Sequence, residues 1–485
     1  MRQTPLIALL GLLLLGCGPD TTPPLPEQPN ILLIFVDDMS WGSLPPYGKD
    51  YLDMPHLEKL AADGMLFTDA WVTPQCTPTR ASLLTGQATA RNRMWHVIGP
   101  YGHPYAKLSE PEYLEQLPRD TYTLGKALQD NGYTTGIFGK WHLSNDETGY
   151  YTYLLEPGRE AYGWDYSNPQ TDPTEYQNRP GKGVEMLTQE AMDFMSRAVA
   201  EGKPFFAYLS QHAMHSRVVT PDTLVEKYLR QGWPRQEIQV DRVHWGSNAD
   251  YLGLLDYLDQ SIGQLEAHLT ELGITDNTVV IFLTDNGGED EYFDNYPLRY
   301  GKGTPYEGGI RVPFIVKWPG QVPAGVQNTL PVQVADLYPT LVALAGGKMQ
   351  QAHEVDGVDL SGVLTRGESL DRESLYGYMP LYDLLWGASP AAIIRQGDYK
   401  LIHYFGDWFD VEDSMAYHPE AKTELFNLKT DIGERHDLSE VEPERTAVMR
   451  QELLDWLVRM EVDLPTPNPR YNPDSVYVKR RGQQF

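Results

Sequence analysis

The chain is constrained most by short, continuous apolar runs that recur between stretches of helical periodicity. Ile31-Leu32-Leu33-Ile34-Phe35-Val36, Thr134-Thr135-Gly136-Ile137-Phe138, Phe205-Phe206-Ala207-Tyr208-Leu209 and Thr278-Val279-Val280-Ile281-Phe282-Leu283 are rich in β-branched and aromatic residues. Each is bounded by polar or glycine residues. A strand without polar alternation has both faces covered, as in a buried parallel sheet. Val312-Pro313-Phe314-Ile315-Val316 reads as a fifth strand, weakened by Pro313. His56 to Ala62, Thr123 to Asp130, Met186 to Ala200, Ala249 to Leu272 and the shorter Leu337 to Ala345 carry apolar residues at helical spacing. The alternation predicts an α/β fold with a large mixed, mostly parallel sheet sandwiched by helices.

The pattern changes near residue 390. Ala391 to Arg395 and Tyr399 to Tyr404 read as a hairpin around Gln396-Gly397-Asp398, and Glu424 to Leu428 as a further strand. Glu444 to Met460 reads as a helix, with Pro443 suited to its first turn. The expected plan is a signal peptide over 1–16, a tether over 17–29, a catalytic α/β domain over 30–390 and a C-terminal α+β subdomain over 391–485.

Met1-Arg2 is a basic start, and the apolar run from Pro5 to Leu15 is too short for a stable membrane span. It ends in Leu14-Leu15-Gly16-Cys17, which resembles a bacterial lipoprotein signal in which Cys17 is lipidated. Leu15 departs from the usual residue at its position, so a plain signal peptide is the alternative. The expectation is an exported chain, periplasmic or at the cell surface and held to the outer membrane by lipid. The formal net charge of -28 argues against nucleic-acid binding. The simplest reading of that charge is a solvated surface.

Only two cysteines occur, Cys17 and Cys76. With Cys17 lipidated, Cys76 has no partner for an internal disulfide. A lone cysteine is commonly just a small buried hydrophobe, but other features converge on this one. The apolar runs lead into Asp37-Asp38, into Lys140-Trp141-His142, into His212 and His215, and into Asp285-Asn286-Gly287-Gly288. In open α/β sheets ligands bind beyond the carboxyl ends of the strands. Four runs thus deliver charged or metal-ligating residues to one edge. The stretch from Ser144 to Arg179 reads as long loops, where Tyr150, Tyr151, Tyr153, Tyr162, Trp164 and Tyr166 either pack the loops or form a stacking wall for sugar rings.

Cys76-Thr77-Pro78-Thr79-Arg80-Ala81-Ser82-Leu83-Leu84-Thr85-Gly86 puts Cys76 just before an expected helix start, with Thr77 as cap and Pro78 in the first turn. A helix N-terminus and Arg80 would both stabilise negative charge at Cys76. This motif resembles the signature of the type I sulfatases of the alkaline-phosphatase superfamily, especially arylsulfatase-like bacterial carbohydrate sulfatases. The resemblance extends over Asn30 to Asp38, Met54 to Thr85, Gly139 to His142, Thr284 to Gly288, Gly301 to Pro313, Gly397 to Ile402 and Glu424 to Leu438.

The resemblance implies that a maturation enzyme converts Cys76 to formylglycine (3-oxoalanine). It implies that Asp37, Asp38, Asp285 and Asn286, with an oxygen of residue 76, bind one Ca2+. One hydroxyl of the hydrated formylglycine would attack sulfur, and the second would lose its proton to expel sulfate. Asp285 would take the first proton and His142 the second. Arg80 and Lys140 would orient residue 76. Lys140, Lys302 and His215 would bind substrate, and Lys302 or His215 would protonate the leaving oxygen. The residue before His215 is Met214, where many relatives carry proline, so His212 either lines the pocket or is an ordinary loop histidine. The resemblance further implies a strongly positive pocket in a negative protein. The expected substrate is a sulfated carbohydrate, from an algal polysaccharide or an oligosaccharide cut from one. The alternatives are a small-molecule arylsulfatase, a phosphate or phosphonate ester hydrolase of the same superfamily, and a non-catalytic glycan-binding lipoprotein.

Overall fold

In the computed structural model, which describes residues 28–48, 52–97, 103–144, 158–167, 179–234, 238–240, 243–289, 295–383, 385–410 and 416–476, the apolar runs form the middle of one nine-stranded sheet. The leader, Cys17, the tether up to residue 27, and Tyr150, Tyr151 and Tyr153 lie outside the described residues. The strands are β1 (Asn30–Val36), β2 (Met65–Trp71), β3 (Thr134–Gly139), β4 (Tyr166–Ser167), β5 (Phe205–Ser210), β6 (Thr278–Thr284), β7 (Arg311–Lys317), β8 (Val326–Asn328) and β9 (Val332–Gln333). Their order is β8-β2-β7-β6-β1-β5-β3-β4, and β9 also pairs with β2. All neighbours pair in parallel except on the two sides of β7, which runs against both β2 and β6.

Strand β1 shows why the runs lack polar alternation. Ile31, Leu33 and Phe35 enter one apolar layer, and Leu32, Ile34 and Val36 enter the other. The first layer is covered by α2 (Cys76–Thr85), α3 (Leu124–Asp130) and α7 (Leu337–Leu344). The second is covered by α1 (Pro55–Ala62), α4 (Val184–Ala200), α5 (Asp222–Arg230) and α6 (Asn248–Glu271). Pro313 is accommodated by a register shift between Val312 and Phe314, the place a sheet tolerates a missing donor. Strand β2 escaped the sequence reading because Thr68 and Asp69 interrupt its apolar run. Asp69 is tolerated there because Arg311 and Arg395 reach it at 3.1 and 2.6 Å.

Four antiparallel strands form a second sheet, β10 (Ser374–Met379), β11 (Ala391–Gln396), β12 (Tyr399–Tyr404) and β13 (Lys422–Asn427). The expected hairpin is β11–β12, and β10 is an additional edge strand. Helix α8 (Pro443–Arg459) covers one face through Met449, Leu453, Trp456 and Leu457. The other face, with Ile393, Ile402 and Phe426, packs on Trp71, Tyr306 and Ile310 of the large-sheet region. Buried ions cross this seam. Lys400 Nζ lies 2.9 Å from Glu307 Oε1 and 2.7 Å from Glu434 Oε1, and Arg311 also pairs with Glu307.

One carboxylate of the helical layer sets a pH prediction. Asp259 on α6 accepts the backbone N–H of Leu57 at 2.7 Å and of His56 at 3.3 Å, serving the free donors at the start of α1. Burial pushes its carboxyl up to about 6. The folded state therefore holds this proton more tightly than the unfolded chain. Its contribution is fully present below the ordinary carboxylate value and is lost as pH rises to about 6. Asp259→Asn is expected to remove that decline, and denaturant unfolding at several pH values between 4 and 7 checks it.

Candidate active site

The carboxyl edge of the large sheet gathers the predicted residues. Strand β1 ends into Asp37 and Asp38, the latter at φ 55, a conformation aspartate tolerates better than most residues. Strand β3 ends into Lys140 and His142, β5 into His212 and His215, and β6 into Asp285 and Asn286. Lys302 precedes its strand. It reaches the same edge because β7 is antiparallel, so the start of β7 lies beside the ends of the others.

Cys76 is the first residue of α2, whose N-cap is Gln75. This corrects the expected cap: Thr77 Oγ1 donates to the His142 carbonyl at 3.1 Å and does not cap the helix. The shift moves Cys76 into the first turn, where the helix N-terminus still favours negative charge. Gly86, at φ 68, closes the helix, with its N–H donating to Ser82 O. Cys76 Sγ lies 3.2 Å from His142 Nδ1. Arg80 sits one turn on, fully buried. Its Nη2 and Nε donate to Asp285 Oδ2 at 2.7 and 3.0 Å, and its Nη1 to Ser210 Oγ and to the Lys140 carbonyl.

The cations are matched with acids. Lys140 Nζ donates to Asp37 Oδ2 and Lys302 Nζ to Asp38 Oδ2, both at 2.7 Å. Each of these buried cations is thus held beside a buried acid, as a charge removed from water requires. His212 Nδ1 is 3.3 Å from Asp37 Oδ2, and His215 Nε2 is 3.9 Å from Asp38 Oδ2. The two imidazoles stack at 5.1 Å, so both line the site.

The donor set fits a hard divalent cation. Asp37 Oδ1 and Asn286 Oδ1 are buried and carry no hydrogen bond among the described residues. A ligand atom from each of Asp37, Asp285 and Cys76 falls within 4.8 Å of the others. Asp38 Oδ1 is held by Asn286 Nδ2 at 2.7 Å. Carboxylate and amide oxygens of this kind suit calcium better than a softer metal. A second grouping, Asp37 with His212 and His215, offers a mixed nitrogen and oxygen set, but it leaves the Asn286 oxygen unused.

Burial, reinforced by Lys140 and Arg80, holds His142 well below the ordinary imidazole range, so its ring is neutral. Burial, reinforced by Asp37, pushes Asp285 up to about 7 against the opposing Arg80. Burial also pushes the Cys76 thiol up. An unmodified Cys76 is therefore a poor thiolate nucleophile.

Four features escaped the sequence reading. Glu289 is buried and lies 3.6 Å from Lys302 Nζ; its place directly after Gly288 was the available signal. Gln75, beside Cys76, donates to Asp383 Oδ2 at 2.6 Å, and Trp386 lies under the Lys302 ammonium. Lys182 approaches His215 from a turn with no motif around it. Of the two readings of the loop aromatics, packing holds for those among the described residues. Tyr162 and Trp164 are buried in the core, Trp164 stacking on Phe206 and Tyr208, while Tyr166 packs on Phe138 and Phe194. Rings that fill the space between helix and sheet cannot stack on a substrate.

The carboxyl edge of a doubly covered α/β sheet thus brings together a helix-borne cysteine, three carboxylates and paired cations, a set able to hold a divalent cation. The family model for sulfatases matches residues 29–347, and the model for the C-terminal region of N-sulphoglucosamine sulphohydrolase matches residues 288–462; the chain belongs to the sulfatase family and is an enzyme of that class. It is 32% identical to arylsulfatase A of Bos taurus over 88% of this chain and 87% of that protein. It is 29% identical to N-acetylgalactosamine-6-sulfatase of Rattus norvegicus over 90% of this chain and 84% of that protein. The solved structure of Ps i-CgsB in complex with k-i-k-neocarrahexaose is 25% identical, with a TM-score of 0.70 over 93% of this chain and 95% of that one.

Proposed function

We propose that the chain hydrolyses sulfate esters of a carbohydrate, using formylglycine made from Cys76 and one calcium ion. The observation that carries this reading is the placement of Cys76 at the first turn of α2, 3.2 Å from the neutral His142 and within ligand distance of Asp37 and Asp285. Sγ stands where an oxygen on the modified carbon would sit. Hydrated formylglycine supplies two hydroxyls on one carbon, one to attack sulfur and one whose deprotonation releases sulfate. Asp37, Asp38, Asp285 and Asn286 would hold the calcium ion, which would supply positive charge near the sulfuryl group.

The side chains do the rest. Asp285 accepts the proton of the attacking hydroxyl, and His142 Nδ1 accepts that of the second. Arg80 orients Asp285 and residue 76. Lys140 and Lys302 hold sulfate oxygens, Lys302 returns a proton to the leaving alcohol, and the imidazole of His215 lines the substrate pocket. The carbohydrate assignment is supported by the oligosaccharide in the Ps i-CgsB structure and by the name of the rat relative. An algal polysaccharide, or an oligosaccharide cut from one, is the proposed source. The proposal includes a maturation enzyme that oxidises Cys76. It also includes export to the periplasm or cell surface, with a lipid anchor on Cys17. The 32% identity to an arylsulfatase favours a second reading, hydrolysis of small aryl sulfates.

Sulfate release from carrageenan, ulvan, fucoidan, glycosaminoglycans, their oligosaccharides and a chromogenic aryl sulfate separates the two. Release from one glycan class well above the aryl ester supports the carbohydrate reading, and turnover of the aryl ester alone overturns it. Calcium also makes a prediction that needs no turnover. Added Ca2+ at 100 times its Kd is expected to stabilise the folded chain by about 2.7 kcal/mol. Asp38→Asn should weaken that gain, and thermal unfolding with and without chelator measures it. An equal calcium response in both proteins would remove Asp38 from the site.

A further inference from the structure

The loop that carries His215 is gripped from behind by a buried lysine. Lys182 is 1% exposed, so its ammonium must be satisfied by internal partners. Nζ donates to the carbonyl of His215 at 2.6 Å and to the carbonyl of Arg217 at 2.9 Å. The carbonyl between them, on Ser216, receives Nδ1 of His215 at 2.6 Å. A carbonyl can only accept, so Nδ1 carries the hydrogen and Nε2 is the atom facing Asp38 Oδ2. The atoms that orient the His215 ring therefore lie on the short backbone stretch that Lys182 holds at both ends.

The grip is anchored to rigid structure. Lys182 belongs to the turn Pro180–Gly183 at the foot of α4, whose Val184, Leu187 and Ala191 are buried in the core layer. Gly181 N–H donates to Val219 O at 2.8 Å, giving the turn a third hold on the same loop. On the side of the catalytic edge, Ser216 Oγ donates to Glu289 Oε1 at 3.2 Å, and Glu289 in turn faces Lys302. Lys182 also adopts a φ of 48, between two glycines at 77 and 75. That conformation suits glycine or asparagine better than a long side chain. What lysine adds at that position is a donor group long enough to reach both carbonyls.

We propose that Lys182 is a positioning residue for His215, setting the tautomer and direction of the imidazole that faces the substrate; this rests on the sulfate-ester reading only for the role of His215. Misplacing a group at the reacting centre by about 1 Å can cost on the order of 100-fold. Lys182→Met is therefore expected to lower kcat/KM between about 10-fold and 100-fold, with rates normalised to formylglycine content. In a His215→Ala background the same change should add little, because the residue it positions is gone. Lys182→Arg, which restores donors, should recover part of the loss.

The second readout needs no substrate. In protein labelled with 15N-histidine, the His215 signal, identified by its loss in His215→Ala, should report hydrogen on Nδ1. Lys182→Met should shift it toward a mixture of tautomers. Should Lys182→Met fail to fold, Lys182→Gln, which keeps one donor, takes its place in both measurements. An equal loss with and without His215, or an unchanged His215 signal, would overturn the proposal. A wild-type enzyme that cleaves no sulfate ester would sink the sulfate reading while leaving the tautomer test intact.

Discussion

Cys76→Ala is expected to abolish turnover, by a factor on the order of 10^4 or more, as loss of a nucleophile does in enzymes that work through a covalent step. The fold should survive. The Sγ makes one hydrogen bond, to His142, alanine is an excellent residue in a first helical turn, and the volume lost is a single sulfur. Circular dichroism and thermal unfolding without calcium should therefore match the parent, while the calcium-dependent shift should shrink because residue 76 no longer offers a ligand. Cys76→Ser gives a sharper result. A serine Oγ can attack sulfur, break the bond to the departing alcohol and keep the sulfate as its own ester. It lacks the second hydroxyl needed to expel that sulfate. The expected outcome is one equivalent of alcohol per enzyme followed by arrest. Continuous turnover by either variant would show that the formylglycine proposal is wrong.

The largest expected loss of stability is at Lys400. Its ammonium is fully buried between Glu307 and Glu434, at 2.9 and 2.7 Å. Lys400→Met fills a similar volume but strips two buried carboxylates of their shared cation. Removing one partner of a buried ion pair costs about 3–5 kcal/mol. Glu307 keeps Arg311 as a partner, whereas among the described residues Glu434 accepts only the Glu307 backbone N–H besides Lys400. Burial already pushes Glu434 up to about 7, so in the variant it should take up a proton instead of remaining charged. A companion Lys400→Met/Glu434→Gln protein is expected to recover part of the loss. Denaturant unfolding of the three proteins measures both effects, and a loss below about 1 kcal/mol, the range of an exposed pair, would mean the seam between the two sheets does not depend on this cation. Since Glu307 lies in the segment between Lys302 and β7, a destabilised seam should also reduce activity.

What could be read along the chain was whatever local chemistry decides. Runs such as Ile31–Val36 and Thr278–Leu283 declared themselves as doubly covered strands, because both of their faces are buried and neither can carry a polar residue. The motif from Cys76 to Gly86 and the Asp37-Asp38 and Asp285-Asn286 pairs were legible because they stand directly at strand ends or at a helix start. Strand β2 was not, since Asp69 looks like an interruption until Arg311 and Arg395, more than 200 residues away, are seen to pair with it. Nor was the antiparallel direction of β7, which brings Lys302 to the catalytic edge from the strand's beginning. Tyr162 and Trp164 illustrate the same limit from the other side, because an aromatic residue in a loop sequence looks alike whether it faces solvent or the core. The sequence alone thus determined the fold class and which groups gather at the carboxyl edge of the large sheet. Only the tertiary structure decided how their charges pair, which rings are free, and that Lys182 stands behind His215, because buried charge is settled by partners that meet through folding and not by neighbours in the chain.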